Sequence, residues 1–237
     1  MNKNDITFGV TAFIDILGFS EKVLAAEDTA DVVEIHEKIE FIQSAFEFES
    51  NEEWIQESKK LLGSTVLAFS DCVISHTPLV SNATKYEGSF DPIMSELTSM
   101  AYAQGQCCQN SLFIRGGVDL DWWYQSGSKL ISKSMINAYN FESKASVPVI
   151  ALTPKTYEYF ETHKHREFYA DYVDPVKGVF RKYSEDGLEF MYIDYIGLCC
   201  DSVGWDRTPE EVDKVNSASG EERENLRNEG YKGNVEE

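Results

Sequence analysis

The chain has 237 residues, 42% of them hydrophobic and 13% aromatic, and its 41 acidic and 21 basic side chains give a formal net charge of −20. Such a length and apolar content suit one large domain with a real core, or one domain plus an appendage. The charge argues against duplex nucleic acid and anionic membranes as main partners, because both reward cationic surfaces, but it admits a small anionic ligand whose charge is met by a metal or by backbone amides.

Residues 6–17, ITFGVTAFIDIL, read as a strand entering the core. Gly18 then permits a sharp turn, and Ser20 with Glu21 marks the start of a helical stretch running to about Phe48, with a break near Asp28–Thr29. Ile35, Ile39, Ile42 and Phe46 recur at helical spacing and give that stretch an apolar face, for core or dimer contact. GSTVLAFSDCVIS, residues 63–75, reads as a strand or as two strands joined by a tight turn around Ser70–Asp71. Residues 78–89 are polar and read as a loop. Ile93, Leu97, Met100 and Ala101 mark a second amphipathic helix ending near Cys107. SLFIRGGVDLDWWYQ is a strand with a glycine pair, followed by the turn QSGSK and a third helix over about 131–145. VPVIAL is a short strand. Residues 179–197 carry a hairpin signal, with FRKY, a turn at Glu185–Gly187 and then LEFMYIDYIG. The apolar pattern fades after Gly204, so the expected division is a domain over 1–204 and an acidic, polar tail over 205–237.

No apolar run approaches the roughly 20 residues of a membrane span, and MNKNDITFGV lacks the charged-then-apolar layout of a secretory signal. Five cysteines, two pairs of them adjacent at 107–108 and 199–200, have no C-x-x-C spacing, which predicts reduced thiols in a cytoplasmic protein and no zinc site. The element order predicts an α+β sheet with helices packed on one face. A doubly wound sheet would fit the same alternation, although no glycine-rich phosphate fingerprint is present.

Two carboxylates interrupt apolar strands: Asp15 in FIDILGFS and Asp71 in AFSDCVIS. A buried charge is tolerated only when paired or bound to a metal. If the two strands are neighbours, both acids converge on one point, and their repulsion calls for a shared proton or an intervening cation. Mg²⁺ and Mn²⁺ favour oxygen ligands and commonly use one or two carboxylates plus substrate phosphates. Gly18, Phe19 and Ser20 would offer backbone amides to a phosphate at a helix start. Taken singly, either Asp reads as a turn-former or a helix cap, and it is the pair that points to a site.

FIDILGFS resembles the first strand and phosphate loop of class III nucleotidyl cyclases, and FSDCVIS resembles their second metal-binding hairpin. FIRGGVDLDWW, INAYNFESKASVPVI and DGLEFMYIDYI continue the resemblance in order over roughly residues 8–197. The ensemble is most similar to the pyrimidine nucleotide cyclases of the bacterial Pycsar anti-phage system. The resemblance implies the class III catalytic-domain sheet, of ferredoxin-like or palm type. It implies a homodimer acting on CTP or UTP with two Mn²⁺ or Mg²⁺ ions, its cyclic product read by a separate effector protein. It assigns Asp15 and Asp71 as metal-binding carboxylates, with the backbone carbonyl of Ile16 as a further ligand, and Gly18, Phe19 and Ser20 as the nucleotide loop.

The chain departs from the family at several positions. The family's Asn and transition-state Arg fall on Ile136 and Asn140, its Pro-Arg-Ile on Pro148-Val149-Ile150, and its purine-reading Lys on Leu67. Loss of that Lys fits a non-purine base. Arg115, Lys133 and Lys144 are the candidates for replacement positive charge, with Arg115 equally readable as a salt-bridge partner and both lysines as solvated. Trp122 and Trp123 must face opposite ways on a strand, so at most one can stack on a base, and packing is the expected role of both. His163 and His165 lie in polar THKHRE and are expected to be solvated, and Glu142 to cap or pair structurally. Two rivals remain: a catalytically decayed cyclase-like domain that binds a nucleotide or protein, and a palm-type polymerase or nuclease, which the charge of −20 disfavours.

Overall fold

The computed structural model describes residues 6–47, 53–145, 147–164, 174–185 and 187–203, together with 217, 219 and 220. Its strands are β1 (Ile6–Ile16), β2 (Thr65–Phe69), β3 (Cys72–Pro78), β4 (Ile114–Ser126), β5 (Lys129–Ser132), β6 (Ile150–Leu152), β7 (Phe180–Glu185) and β8 (Leu188–Ile193). The helices are α1 (Phe19–Ala25), α2 (Thr29–Glu47), α3 (Glu53–Leu62), α4 (Thr84–Glu87), α5 (Phe90–Gln109), α6 (Lys133–Glu142), α7 (Pro154–His163), α8 (Pro175–Val179) and α9 (Tyr195–Val203).

One sheet runs β2-β3-β1-β4-β6-β8-β7, with β5 as a second partner of β4. Every pairing is antiparallel except β4 with β6, so the architecture is the α+β sheet expected and not a doubly wound one. Strand alternation separates two apolar clusters. Val10, Ala12, Ile14 and Ile16 of β1 meet Ile42 and Phe46 of α2 and Phe90, Ile93, Leu97 and Ala101 of α5 on one face. Ile150 and Leu152 of β6 join this cluster, whereas Ala151 between them packs with Ala145, Val149 and Phe190 on the other. The helical layer of α2 and α5 therefore covers one face, as anticipated. Helix α6 lies on the opposite face over β1 and β4, with Tyr139 edge-on to Phe13 at 5.2 Å.

Gly117 makes that approach possible. A Cβ built there would lie 2.0 Å from the Ala138 carbonyl oxygen and 2.9 Å from the Glu142 nitrogen, both in the α6 backbone. The N-terminus of α6 is held by Ser132, whose Oγ accepts from the Met135 amide at 3.0 Å. Ser134 Oγ then lies 2.6 Å from Thr11 Oγ1 of β1. Thr11 continues to His76 Nδ1 at 2.9 Å, and Thr7 Oγ1 takes the other ring nitrogen at 3.0 Å. Trp123 stacks on the same imidazole with ring centroids 4.6 Å apart. Trp123 is thus buried packing and Trp122 lies on the other side of the strand, as the alternation required.

Burial holds His76 down at a pKa of about 4, below its ordinary 6.5. As pH falls, the unfolded chain protonates first, so the stability contribution is complete above 6.5 and is lost on the way down to 4. The shift from 6.5 to about 4 corresponds to roughly 3 kcal/mol. A His76→Gln variant is expected to lose less stability than the wild type between pH 6.5 and 4, read from urea midpoints at each pH. Parallel pH profiles for the two proteins would contradict this account of the buried imidazole.

Several expected boundaries move. The long first helical stretch is divided into α1 and α2 where predicted, because Asp28 Oδ1 accepts from the Ala30 and Asp31 amides while Asp31 Oδ2 accepts from the Glu27 and Asp28 amides. Residues 131–132 belong to β5 and not to the third helix, since Ile131 pairs with Tyr124 and Ser132 with Trp123. The expected loop at 78–89 contains α4. The expected hairpin strand ends at Ile193, because Asp194 Oδ1 accepts from the Gly197 amide and turns the chain into α9. Helices α3, α7 and α8 were not anticipated, although α7 and α8 begin with a capping residue followed by proline, at Thr153-Pro154 and Asp174-Pro175. His165 and all of the 205–237 tail except residues 217, 219 and 220 lie outside the described residues, as does the hinge of the proposed division at 204.

Candidate active site

Asp15 is the penultimate residue of β1, opposite Cys72 of β3 on one side and Arg115 of β4 on the other. Facing residues in antiparallel strands share a side of the sheet, so Cys72, Asp15 and Arg115 form one row on the α6 face. Phe69 of β2 extends the row beyond Cys72. The next row on that face is Leu67, Ile74, Phe13 and Gly117. Asp71 lies in the two-residue β2–β3 turn, which Ser70 closes by adopting a left-handed φ of 53°. That turn carries the Asp71 carboxyl group within hydrogen-bonding reach of Asp15. The two acids anticipated to converge do so.

The electrostatics of the pair are unfavourable. Burial, followed by the contact with Asp71 and the charges of Asp71 and Glu142, pushes Asp15 up to a pKa of about 7, with Arg115 only partly opposing the rise. Glu142 of α6 is buried, and burial raises its pKa despite an ion pair with Arg115. Three carboxyl groups and one guanidinium therefore share the site. Cys72 is half-buried beside both aspartates, its thiol donating to the Phe69 carbonyl at 3.1 Å, and burial and the two acids raise its pKa.

The remaining anticipated residues fall at different distances from this centre. Leu17 and Gly18 form the turn from β1 into α1, of which Phe19 and Ser20 are the first two residues, with Gly18 at φ 73° and no side chain of α1 buried. The Ile16 side chain is in the core, so only its main chain can serve the site. Leu67 stands in the row next to Asp15. Asn140 is exposed on α6 and Ile136 is 56% exposed, and no described contact ties either to the carboxylates. Val149 is buried in the smaller apolar cluster.

Of the three candidate cations, Arg115 alone reaches the carboxylate centre. Lys133 is bound to Asp121 at 3.1 Å, a site it shares with Lys155, and Lys144 lies over the Phe141 ring at 5.3 Å. His163 is exposed, with Nδ1 2.7 Å from the Tyr159 carbonyl oxygen. Two members of the centre had not been anticipated there. Glu142 had been read as a structural pair, which it is, but its arginine partner sits beside Asp15. Cys72 follows Asp71 directly in the sequence, yet only the β1–β3 register shows that it faces Asp15.

Among the described residues no group of three His, Cys, Asp or Glu side chains is arranged to hold a metal ion, and no helix is long and apolar enough to cross a membrane. No family model matches the chain and no curated protein matches it. Solved structures that resemble it include the adenylyl cyclase CyaB from P. aeruginosa, at 15% identity and a TM-score of 0.49, covering 80% of this chain and 95% of that one. The monomeric guanylyl cyclase domain of the RhoGC fusion protein from Blastocladiella emersonii is similar at 13% identity and a TM-score of 0.47, covering 80% and 96%. The guanylate cyclase domain of RhGC from Catenaria anguillulae, solved with GTP, is similar at 14% identity and a TM-score of 0.45, covering 79% and 97%.

Proposed function

We propose that the chain is a nucleotidyl cyclase that converts CTP or UTP into the 3′,5′-cyclic monophosphate and pyrophosphate, working in the cytoplasm as a homodimer. The observation that carries this reading is the meeting of Asp15 and Asp71 at the ends of adjacent strands, in a cluster with more carboxylate than cation. Such a donor set fits hard divalent ions. Two carboxylates supply oxygen ligands, and the Ile16 carbonyl, water and substrate phosphates would complete the shell. Mn²⁺ or Mg²⁺ held there would lower the pKa of the 3′-hydroxyl and neutralise charge on the departing pyrophosphate.

The protein's own groups have positioning roles. Glu142 anchors Arg115 so that its positive charge stays beside Asp15. Gly18 and the first residues of α1, Phe19 and Ser20, would run along the polyphosphate. Leu67, where the family's purine readers carry a lysine, presents an apolar side chain and favours the smaller base. Around the carboxylates, Phe69 and Tyr139 are 78% and 53% exposed, an apolar rim that a second copy of the chain would cover. By the motif resemblance, the cyclic product would signal phage infection to a separate effector.

The test is to incubate the full chain with each of the four ribonucleoside triphosphates and Mn²⁺ and to separate the products. Cyclic CMP or cyclic UMP is the expected product, and a product from ATP or GTP alone would overturn the pyrimidine assignment. One observation favours a second reading, a domain that binds nucleotide without turnover: Asn140, at the family's transition-state arginine position, is exposed and makes no described contact with the carboxylates. Nucleotide binding without product from any of the four would support that reading.

A further inference from the structure

We propose that Cys108 of α5 and Cys199 of α9 are a redox-active pair that closes reversibly into a disulfide joining the two helices. The inference does not rest on the nucleotide reading. Gly105 provides the space: a Cβ built there would lie 2.3 Å from Cys199 Sγ, so the absent side chain is the socket that this sulfur fills. Cys199 Sγ also lies 4.0 Å from the Ala101 carbonyl oxygen, one turn earlier on α5. Cys108 is one turn later, three residues after Gly105, and therefore on the same face of the helix. Every Cα–Cβ bond of an α-helix tilts toward its N-terminus, which directs the Cys108 side chain back toward that socket.

Contacts from the other helix agree. Tyr195, four residues before Cys199 on α9, meets the Cys108 thiol through its hydroxyl, and Cys108 is close enough to Cys199 to help raise the Cys199 thiol. Cys107 is buried in the main core and so is shielded from oxidants, whereas Cys199 is only partly buried. Cys200 is exposed beside Cys199 and marks the solvent side of the contact.

With a hydroperoxide as oxidant, the Cys199 sulfur attacks the peroxide, the O–O bond breaks, and water or an alcohol leaves with the thiol proton. The Cys108 sulfur then displaces the hydroxyl from the Cys199 sulfenic acid as water, forming the S–S bond. Two electrons pass from the thiols to the peroxide, and an external dithiol reverses the change. Burial raises the Cys199 thiol pKa, so closure should be faster at pH 9 than at pH 7.

The full chain is treated with hydrogen peroxide, alkylated and digested without reductant. The expected product is a peptide linking Cys108 to Cys199, an intact mass lower by two hydrogens, and a melting temperature raised by several degrees, since the bond closes a loop of about 90 residues. Dithiothreitol should reverse all three. Cys108→Ala and Cys199→Ala should each lose the crosslink and the rise in melting temperature. Oxygen added at Cys200 without a crosslink, a bond through Cys107 or Cys200, or an unchanged melting temperature in the crosslinked protein would each overturn the proposal. Should either variant fail to fold, the wild-type peptide map decides by itself.

Discussion

Asp15→Asn is expected to abolish the proposed cyclase turnover, by at least about a thousandfold, and at the same time to make the metal-free protein more stable. The loss follows from the proposed role of the carboxylate as an ion ligand, because metal-supplied charge stabilisation of this kind is worth several kcal/mol, and about 4 kcal/mol is a thousandfold in rate. The gain in stability follows from the electrostatics of the pair. Asp15 is pushed up to a pKa of about 7 by burial and by Asp71, so the folded protein holds that proton more tightly than the unfolded chain does. As pH rises from 3.8 through 7 the folded state loses stability, and above 7 the full penalty of the ionised group is present.

Asparagine keeps the shape and removes the charge. The melting temperature of Asp15→Asn without metal should therefore exceed that of the wild type by several degrees at pH 8, with the difference vanishing near pH 4. Mn²⁺ should raise the wild-type melting temperature at pH 8 and leave the variant unmoved. The two readouts move in opposite directions, which a residue needed only for folding cannot produce. Turnover within tenfold of wild type, or a variant less stable at pH 8, would sink the metal-site reading.

Gly117→Ala is expected to be the most damaging single-methyl change near the site, costing about 3 kcal/mol or more in folding stability. The added carbon would meet the Ala138 carbonyl oxygen at 2.0 Å, and backbone cannot rotate away as a side-chain tip can. Relief requires α6 to lift from the sheet, which would separate Glu142 from Arg115 and Tyr139 from Phe13. Urea unfolding should show the loss directly. Gly178→Ala is the matched control, because a Cβ there meets nothing within 4 Å, and its midpoint should change little. If the two variants unfolded alike, the close approach of α6 would not be what position 117 is for.

Much of this arrangement was legible in the residues. Alternation in ITFGVTAFIDIL and CVIS placed strands where β1 and β3 lie, and Ser70–Asp71 marked their neighbouring turn, because period-two burial and turn chemistry are local properties. The convergence of Asp15 and Asp71 could be anticipated once those strands were taken as neighbours. Helices α7, α8 and α9 were harder. Their capping residues are local signals, but α7 buries only Thr156 and Phe160 and α8 only Val176 and Val179, too little for a recognisable apolar stripe.

What the linear order of residues settled was the strand content apart from β5, the glycine turn after β1 and the presence of two acids that an apolar setting could not leave alone. What only the folded chain decided was which groups surround them. The β1–β4 register sets Arg115 opposite Asp15, the missing side chain at Gly117 lets α6 descend, and that descent brings Glu142 to the arginine and into the field of Asp15. These partners are separated by about a hundred residues of sequence or more from Asp15. Pairing over such distances is fixed by register and packing, which no local periodicity encodes.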